Sequence, residues 1–354
     1  MQVSATVAES TLRRRRRNKW ARNVRLTALL ILLIVTPLVS LAFGSANVHV
    51  SDIIGVSLNH LGLNQEVTWT PAIDAIIWQN RVPRIITGMA VGAILGVAGV
   101  VLQALVRNPL AEPYVLGVSS GASTGAALSI IVLGASNYLV TGSMAFGGAL
   151  IATFMVMIVA GHGSTPLQLI LAGLAAGFGF QAVTNLLIFS SGSPETSQAV
   201  MFWMLGSLAR AHWPQLPILV LIAVVFTAVM AVFGPILDAL ASGDRTAESV
   251  GVNAVRMRVL LLIFVSAAVA IAVAAAGGIG FVGLIIPHVI RSFIGHSHRY
   301  LVLGSALASA LFLVWMDAVA RVAFAPAELP IGVITGLIGA PCLVVLIKRQ
   351  RRTS

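Results

Sequence analysis

RVPRIITGMAVGAILGVAGVVLQALVRNPLAEPYVLGVSSGAS, residues 81–123, sets how the rest of the chain is read. Residues 85–106 carry no charge, and about 20 such residues rising 1.5 Å each cross the roughly 30 Å of a bilayer's hydrocarbon. Arg107, Asn108, Glu112 and two prolines then interrupt, and a second apolar run begins with Gly117, Gly121 and Gly125 at four-residue spacing. The interruption reads as a turn between two membrane spans. Pro109 ends the first helix because its ring removes a donor and clashes with the preceding turn. Pro113 suits the first turn of the next helix, with Glu112 at that helix's positive end.

The whole chain follows the same pattern. Of its 354 residues 58% are hydrophobic and 9% charged, with mean hydropathy +0.97; a soluble domain carries about 25% charged residues. An all-α polytopic membrane protein is expected. Spans are expected near 26–43, 85–106, 114–134, 139–161, 167–189, 214–236, 258–276, 279–295, 300–324 and 331–347. The eighth is short and contains Pro287, so hydropathy alone allows eight to ten. The basic residues decide parity. RRRRRNKWARNVR (13–25) precedes the first span and KRQRR (348–352) follows the last, and Lys and Arg collect on the cytoplasmic side. Both termini are therefore expected in the cytoplasm, which makes the number even: about ten. The chain divides into a basic tail (1–25), a transmembrane domain (26–347) and a second basic tail (348–354).

Of the 22 Lys and Arg residues, this topology leaves only Arg81, Arg84, Arg210 and Arg321 on the outer side. The +11 charge is attributed to span flanks attracted to anionic membrane lipid, not to nucleic acid. A cleaved leader within 1–46 is the rival reading of the N-terminus, disfavoured by its long apolar core. The single Cys342 excludes an intrachain disulfide and a thiolate metal cluster. No internal repeat is evident, which weakly disfavours an inverted-repeat transporter.

Glycines recur every fourth position: Gly88, Gly92 and Gly96; Gly117, Gly121 and Gly125; Gly173 and Gly177; Gly332 and Gly336. On a helix this makes a smooth face that lets backbones approach closely. Tight packing explains it; a wall along which a bulky solute slides is the alternative.

The quoted segment resembles the FecCD-type permeases of binding-protein-dependent ABC importers. The resemblance continues at LILAGLAAG (169–177), FWMLGSL (202–208), GDRTAESVGV (243–252), GGIGFVGLIIPHVIR (277–291) and LPIGVITGLIGAPCLVVL (329–346). It implies import of an iron(III)-siderophore complex, or of cobalamin or haem. It also implies a second permease subunit, two cytoplasmic ABC ATPase subunits and an extracytoplasmic substrate-binding protein. The residues agree about energy. The chain has two lysines, Lys19 and Lys348, and neither follows a phosphate-cradling glycine loop. Either the chain is a passive conduit or a partner supplies the work; the resemblance implies the latter, with ATP and Mg used by the partner ATPase, and this chain is expected to be neither an enzyme nor a holder of a cofactor. Ionisable residues within spans are too scarce for a proton relay, which counts against a secondary carrier. A membrane-embedded enzyme would need a nucleophile–base set that is not evident.

The ATPase is expected to couple through LDALASGDRTAESVGVNAVRMR (237–258), with a short helix over 244–249 that Gly251 breaks. The resemblance implies that Gly243, Ala247 and Gly251 let this element seat closely while Asp244, Arg245 and Glu248 add polar contacts. It further implies that Arg81, Arg84 and Arg321 receive acidic residues of the binding protein; an internal pair between Asp317 and Arg321, four residues apart, is the plainer reading. Gly173, Gly177 and Thr335 are candidate walls of the path, with Ser164 and Thr165 at an inner gate. Pro287-His288 with His296 and His298 is a weak metal signal lacking a carboxylate, so no metal site is assigned.

Overall fold

The computed structural model describes residues 2–350 apart from 45, 64–65, 136 and 162–164. Helix α1 spans Gln2–Leu41, and α2 (Val50–His60) and α3 (Pro71–Asp74) follow it. A wide turn over Ala75–Arg81 runs into α4 (Val82–Val106). After a tight turn at Pro113–Leu116, α5 (Val118–Ala127) continues through Leu128–Val132. Next come α6 (Tyr138–Ala160), α7 (Pro166–Ser190), α8 (Pro194–Met204) and α9 (Leu216–Val232). The chain ends with α10 (Gly234–Ala241), α11 (Asp244–Ser249), α12 (Ala254–Ala276), α13 (Val282–Ile294), α14 (His298–Val322) and α15 (Ile331–Gln350).

Seven helical stretches are long and apolar enough to cross a membrane, and three shorter apolar ones cover Val118–Val132, Val282–Ile294 and Ile331–Leu346. A helix that is apolar all round must be buried in protein or in lipid. Two helices show the two cases. Nearly all of α4 is buried, because α9, α12, α13 and α14 surround it. Helix α7 is as oily but leaves Leu167, Leu171, Leu174, Phe178, Leu186 and Phe189 exposed along its length. Packing explains α4; only lipid or another chain can cover α7.

Most of the ladder glycines lie on packing faces, while Gly336 has open space beside it. A methyl group at Gly92 or Gly96 would overlap Ser309 of α14, and one at Gly121 or Gly125 would overlap the α6 backbone at Gly148 or Met144. Gly173 meets the carbonyl of Val115 just as closely. Backbone against backbone is what the small-residue spacing provides.

Candidate functional site

The segment 107–117 does more than turn. Helix α4 ends at Val106, with Arg107 in the left-handed region at φ 53°, two residues before the expected stop at Pro109. The chain then folds back into the bundle. Pro113 begins a tight turn, not α5 itself, and α5 opens at Val118 after Gly117. The expectation that Glu112 serves its own helix is corrected. Its carboxylate accepts the N–H of Phe281, the residue that precedes α13, and the Tyr114 hydroxyl accepts the N–H of Ile279 at 2.8 Å. Residues 277–281, GGIGF, are not helical, so the eighth span starts at Val282, three residues later than expected. Gly283 packs against the middle of α4 at Leu95 and Gly99, so this break lies within the bundle. Unwound backbone at membrane depth requires partners inside the protein; Glu112 and Tyr114 supply two of them.

Helix α13 needs a third. Pro287 has no N–H to give the carbonyl of Gly283, four residues back. The Gln103 amide of α4 donates to the Gly283 and Leu284 oxygens at 3.4 and 3.2 Å, and its own oxygen accepts from Arg291 at 2.8 Å.

At the end of the bundle where α4 finishes, α11 forms over Asp244–Ser249 as expected. Gly243 (φ +121°) and Gly251 (φ +82°) flank it. The N–H groups of Gly251 and Val252 return to the carbonyls of Glu248 and Ala247, a helix stop that needs a left-handed residue between them. Ala247 is fully buried, while Arg245, Glu248 and Val250 are exposed. Asp244 bonds inward, pairing with Arg107 at the end of α4 and with Arg258 of α12 at 2.7 Å. Asp238 of α10 accepts from the backbone N–H of His298 at 3.0 Å and its ring nitrogen at 2.6 Å, which secures the first turn of α14. Two ion pairs and one aspartate–histidine hydrogen bond thus tie α10 and α11 to α4, α12 and α14.

At the opposite end the structure departs from expectation. Arg81, Arg84 and Arg321 are only 3%, 2% and 2% exposed. Arg84 lies 2.7 Å from both Asp317 and Glu328. Arg321 sits 3.1 Å from the other Asp317 oxygen and donates to the Phe43 carbonyl and Ser40 hydroxyl at 2.8 and 2.9 Å. Arg81 donates to the carbonyls of Leu41 and Ala46 at 2.6 and 2.7 Å. The internal Asp317–Arg321 pair is present, and none of the three arginines is displayed to a partner here. The reason is electrostatic: a guanidinium this deep persists only when its donors are matched. Arg210, the fourth arginine expected on the outer side, has no ion-pair partner among the described residues.

The path residues separate. Thr165 caps α7, accepting from Gln168 N at 3.3 Å while Gln168 Oε1 accepts from Thr165 N at 2.8 Å. Ser164 lies outside the described residues. Thr335 is fully buried and donates to the Gly332 carbonyl; Gly177 is half-buried near Ser120. Cys342 is exposed. Among the described residues no three His, Cys, Asp or Glu side chains group to hold a metal.

A bundle of apolar helices with one broken in its interior and a paired helical element at one end defines a polytopic membrane-transport protein. The model of the FecCD transport family matches residues 31–349, and the chain belongs to that family. It is 33% identical over 314 residues to the Fe(3+)-citrate import system permease protein YfmD of Bacillus subtilis, covering 88% of this chain and 90% of that one. It is 40% identical over 282 residues to the cobalamin import system permease protein BtuC of Halobacterium salinarum, covering 78% and 74%. A solved transporter described as of metal-chelate type, in an inward-facing conformation, superposes with TM-score 0.79 at 31% identity, covering 92% of this chain and 98% of that one. The chain is thus the multi-pass permease subunit of an ABC importer, a class that works with ATPase and substrate-binding partners.

Proposed function

We propose that the cargo is an iron(III)-siderophore complex, carried across the plasma membrane (the inner one where there are two). Support comes from the relatives named for iron citrate and metal chelates. Cobalamin is the second reading, favoured by the 40% identity to a cobalamin permease. Ten spans with both termini in the cytoplasm fit the seven long and three short apolar helices and the basic tails.

The observation that carries the mechanism is α11. Its exposed Arg245, Glu248 and Val250 form the contact for an ATPase subunit, and its inward-bonded Asp244 hands the motion to α4 and α12 through Arg107 and Arg258. Two ATPases act on two permeases, and the exposed stripe of α7 is the face the second permease covers, with Gly177 and Thr335 backing the path wall between them. A binding protein docks at the far end. There Arg81, Arg84 and Arg321 hold the carbonyls of Leu41, Phe43 and Ala46 and the Glu328 carboxylate in place, and Glu328 is the carboxylate a partner's acid would exchange with at Arg84.

Reconstitution tests this. With the cognate ATPase and binding protein in liposomes, uptake of a ferric siderophore should require ATP; uptake by the chain alone without nucleotide would overturn the mechanism. Iron-starved growth of a deletion strain on single siderophores, with cobalamin-dependent growth in parallel, separates the two cargoes.

A further inference from the structure

Arg210 breaks the positive-inside pattern and has no ion-pair partner among the described residues, and the bundle around it explains why. A cavity of about 460 Å³ opens beside it between the first turns of α6 and α9, the last turn of α12, and α8. That volume is within the range of small-molecule sites. Its walls are graded along the bundle. Arg210 and Gln215 lie at the level of the loop before α9, Tyr138 begins α6, and Phe146 sits eight residues further along the same helix, about 12 Å deeper. Ile271 and Trp203 complete the apolar lower part.

Two polar groups wait there. Arg210 offers a guanidinium, and the Gln215 amide nitrogen is buried without a hydrogen-bond partner. A buried donor left unmatched costs free energy, so the cavity favours a ligand with acceptor oxygens at its upper end. Its mouth is bounded by Leu139 and Ile218, 57% and 61% exposed, and the oily surface continues down α9 through Leu221, Val224 and Val225. Negative oxygens above and hydrocarbon below describe one kind of occupant. We propose that this cavity is a binding site for an anionic phospholipid of the leaflet at this end of the bundle, its phosphate held by Arg210 and Gln215 and its upper acyl chain lying against Phe146 and Ile271. Gly277, where the helical path of α12 ends, is part of the wall, so the occupant touches the unwound segment directly.

The site stands apart from the choice of cargo, and its test does too. The full chain in nanodiscs is labelled with phosphatidylglycerol or phosphatidylcholine carrying a photoreactive headgroup, and crosslinks are mapped by mass spectrometry. Phosphatidylglycerol should label 138–146 and 203–219 about fivefold more than phosphatidylcholine, the ratio one basic residue near a membrane surface supplies. Arg210→Gln should abolish that preference and Arg210→Lys should keep it, while crosslinks to the basic N-terminal tail remain as an internal standard. Ile218→Trp, which fills the mouth from an exposed position and leaves the arginine intact, should block labelling even if Arg210→Gln does not fold. Equal labelling by the two lipids, an unchanged preference in Arg210→Gln, or undiminished labelling in Ile218→Trp would overturn the proposal. Loss of labelling in excess inorganic phosphate would overturn it as well, by identifying a small-anion site instead.

Discussion

The two ends of the bundle handle charge in opposite ways. Where α4 begins, Arg84, Arg321 and Asp317 are sealed from solvent and answered by one another, by Ser40 and by loop carbonyls. Where α4 finishes, Asp244 remains 41% exposed while it pairs with Arg107 and the nearly buried Arg258. A buried pair loses heavily when one partner is removed, whereas an exposed pair contributes little. The first end is therefore built to stay closed. The second leaves its charges partly open to solvent, where they serve geometry more than stability.

The contrast breaks first at Asp317. Asp317→Asn leaves the buried Arg321 without a carboxylate and Arg84 with Glu328 alone and should cost about 3–5 kcal/mol, read as a large drop in thermal stability in detergent. An unchanged melting temperature would mean that the cluster is open to water. Glu112→Leu tests the bundle's middle. The N–H of Phe281 loses its acceptor, a cost of about 1–3 kcal/mol, and uptake should fall with it; a variant of wild-type stability and uptake would show that the break needs no such partner. Gly251→Val forces a branched residue to a left-handed φ at about 1–2 kcal/mol. ATP hydrolysis by the assembled transporter should continue while uptake collapses, and wild-type uptake would remove α11 from the coupling route. The smallest effect sharpens the comparison most. Asp244→Asn and Glu328→Gln each alter a half-exposed carboxylate and should cost at most about 1 kcal/mol. The first should impair uptake and the second should alter binding-protein affinity, each measured against the other as control; exchanged phenotypes would reverse the assignment of the ends.

Much of this arrangement was legible in the residues because it is local. Hydropathy placed the seven long apolar helices, and the glycines at 243 and 251 bounded α11 because a helix stop is written within six residues. Four-residue glycine spacing foretold backbone contact, though not that Gly92 would meet Ser309. Apart from shifted helix starts at Pro113 and Val282, the misses are long-range. Glu112 reaches Phe281 and Arg81 reaches Leu41, contacts that no periodicity encodes. The buried arginines looked outward because the positive-inside pattern reports which side of a membrane a charge is on, never which way it points. A lone signal did exist for the cavity at Arg210: a basic residue on the less common side with no acidic neighbour at helical spacing.

One consequence of the folded-back segment concerns how force moves through the molecule. Arg107 grips α11 and Glu112, five positions on, grips the gap ahead of α13. So short a tether has little slack. A push on α11 that keeps its ion pair must also pull on the unwound backbone at Phe281, so that the rim and the break in the interior share one handle.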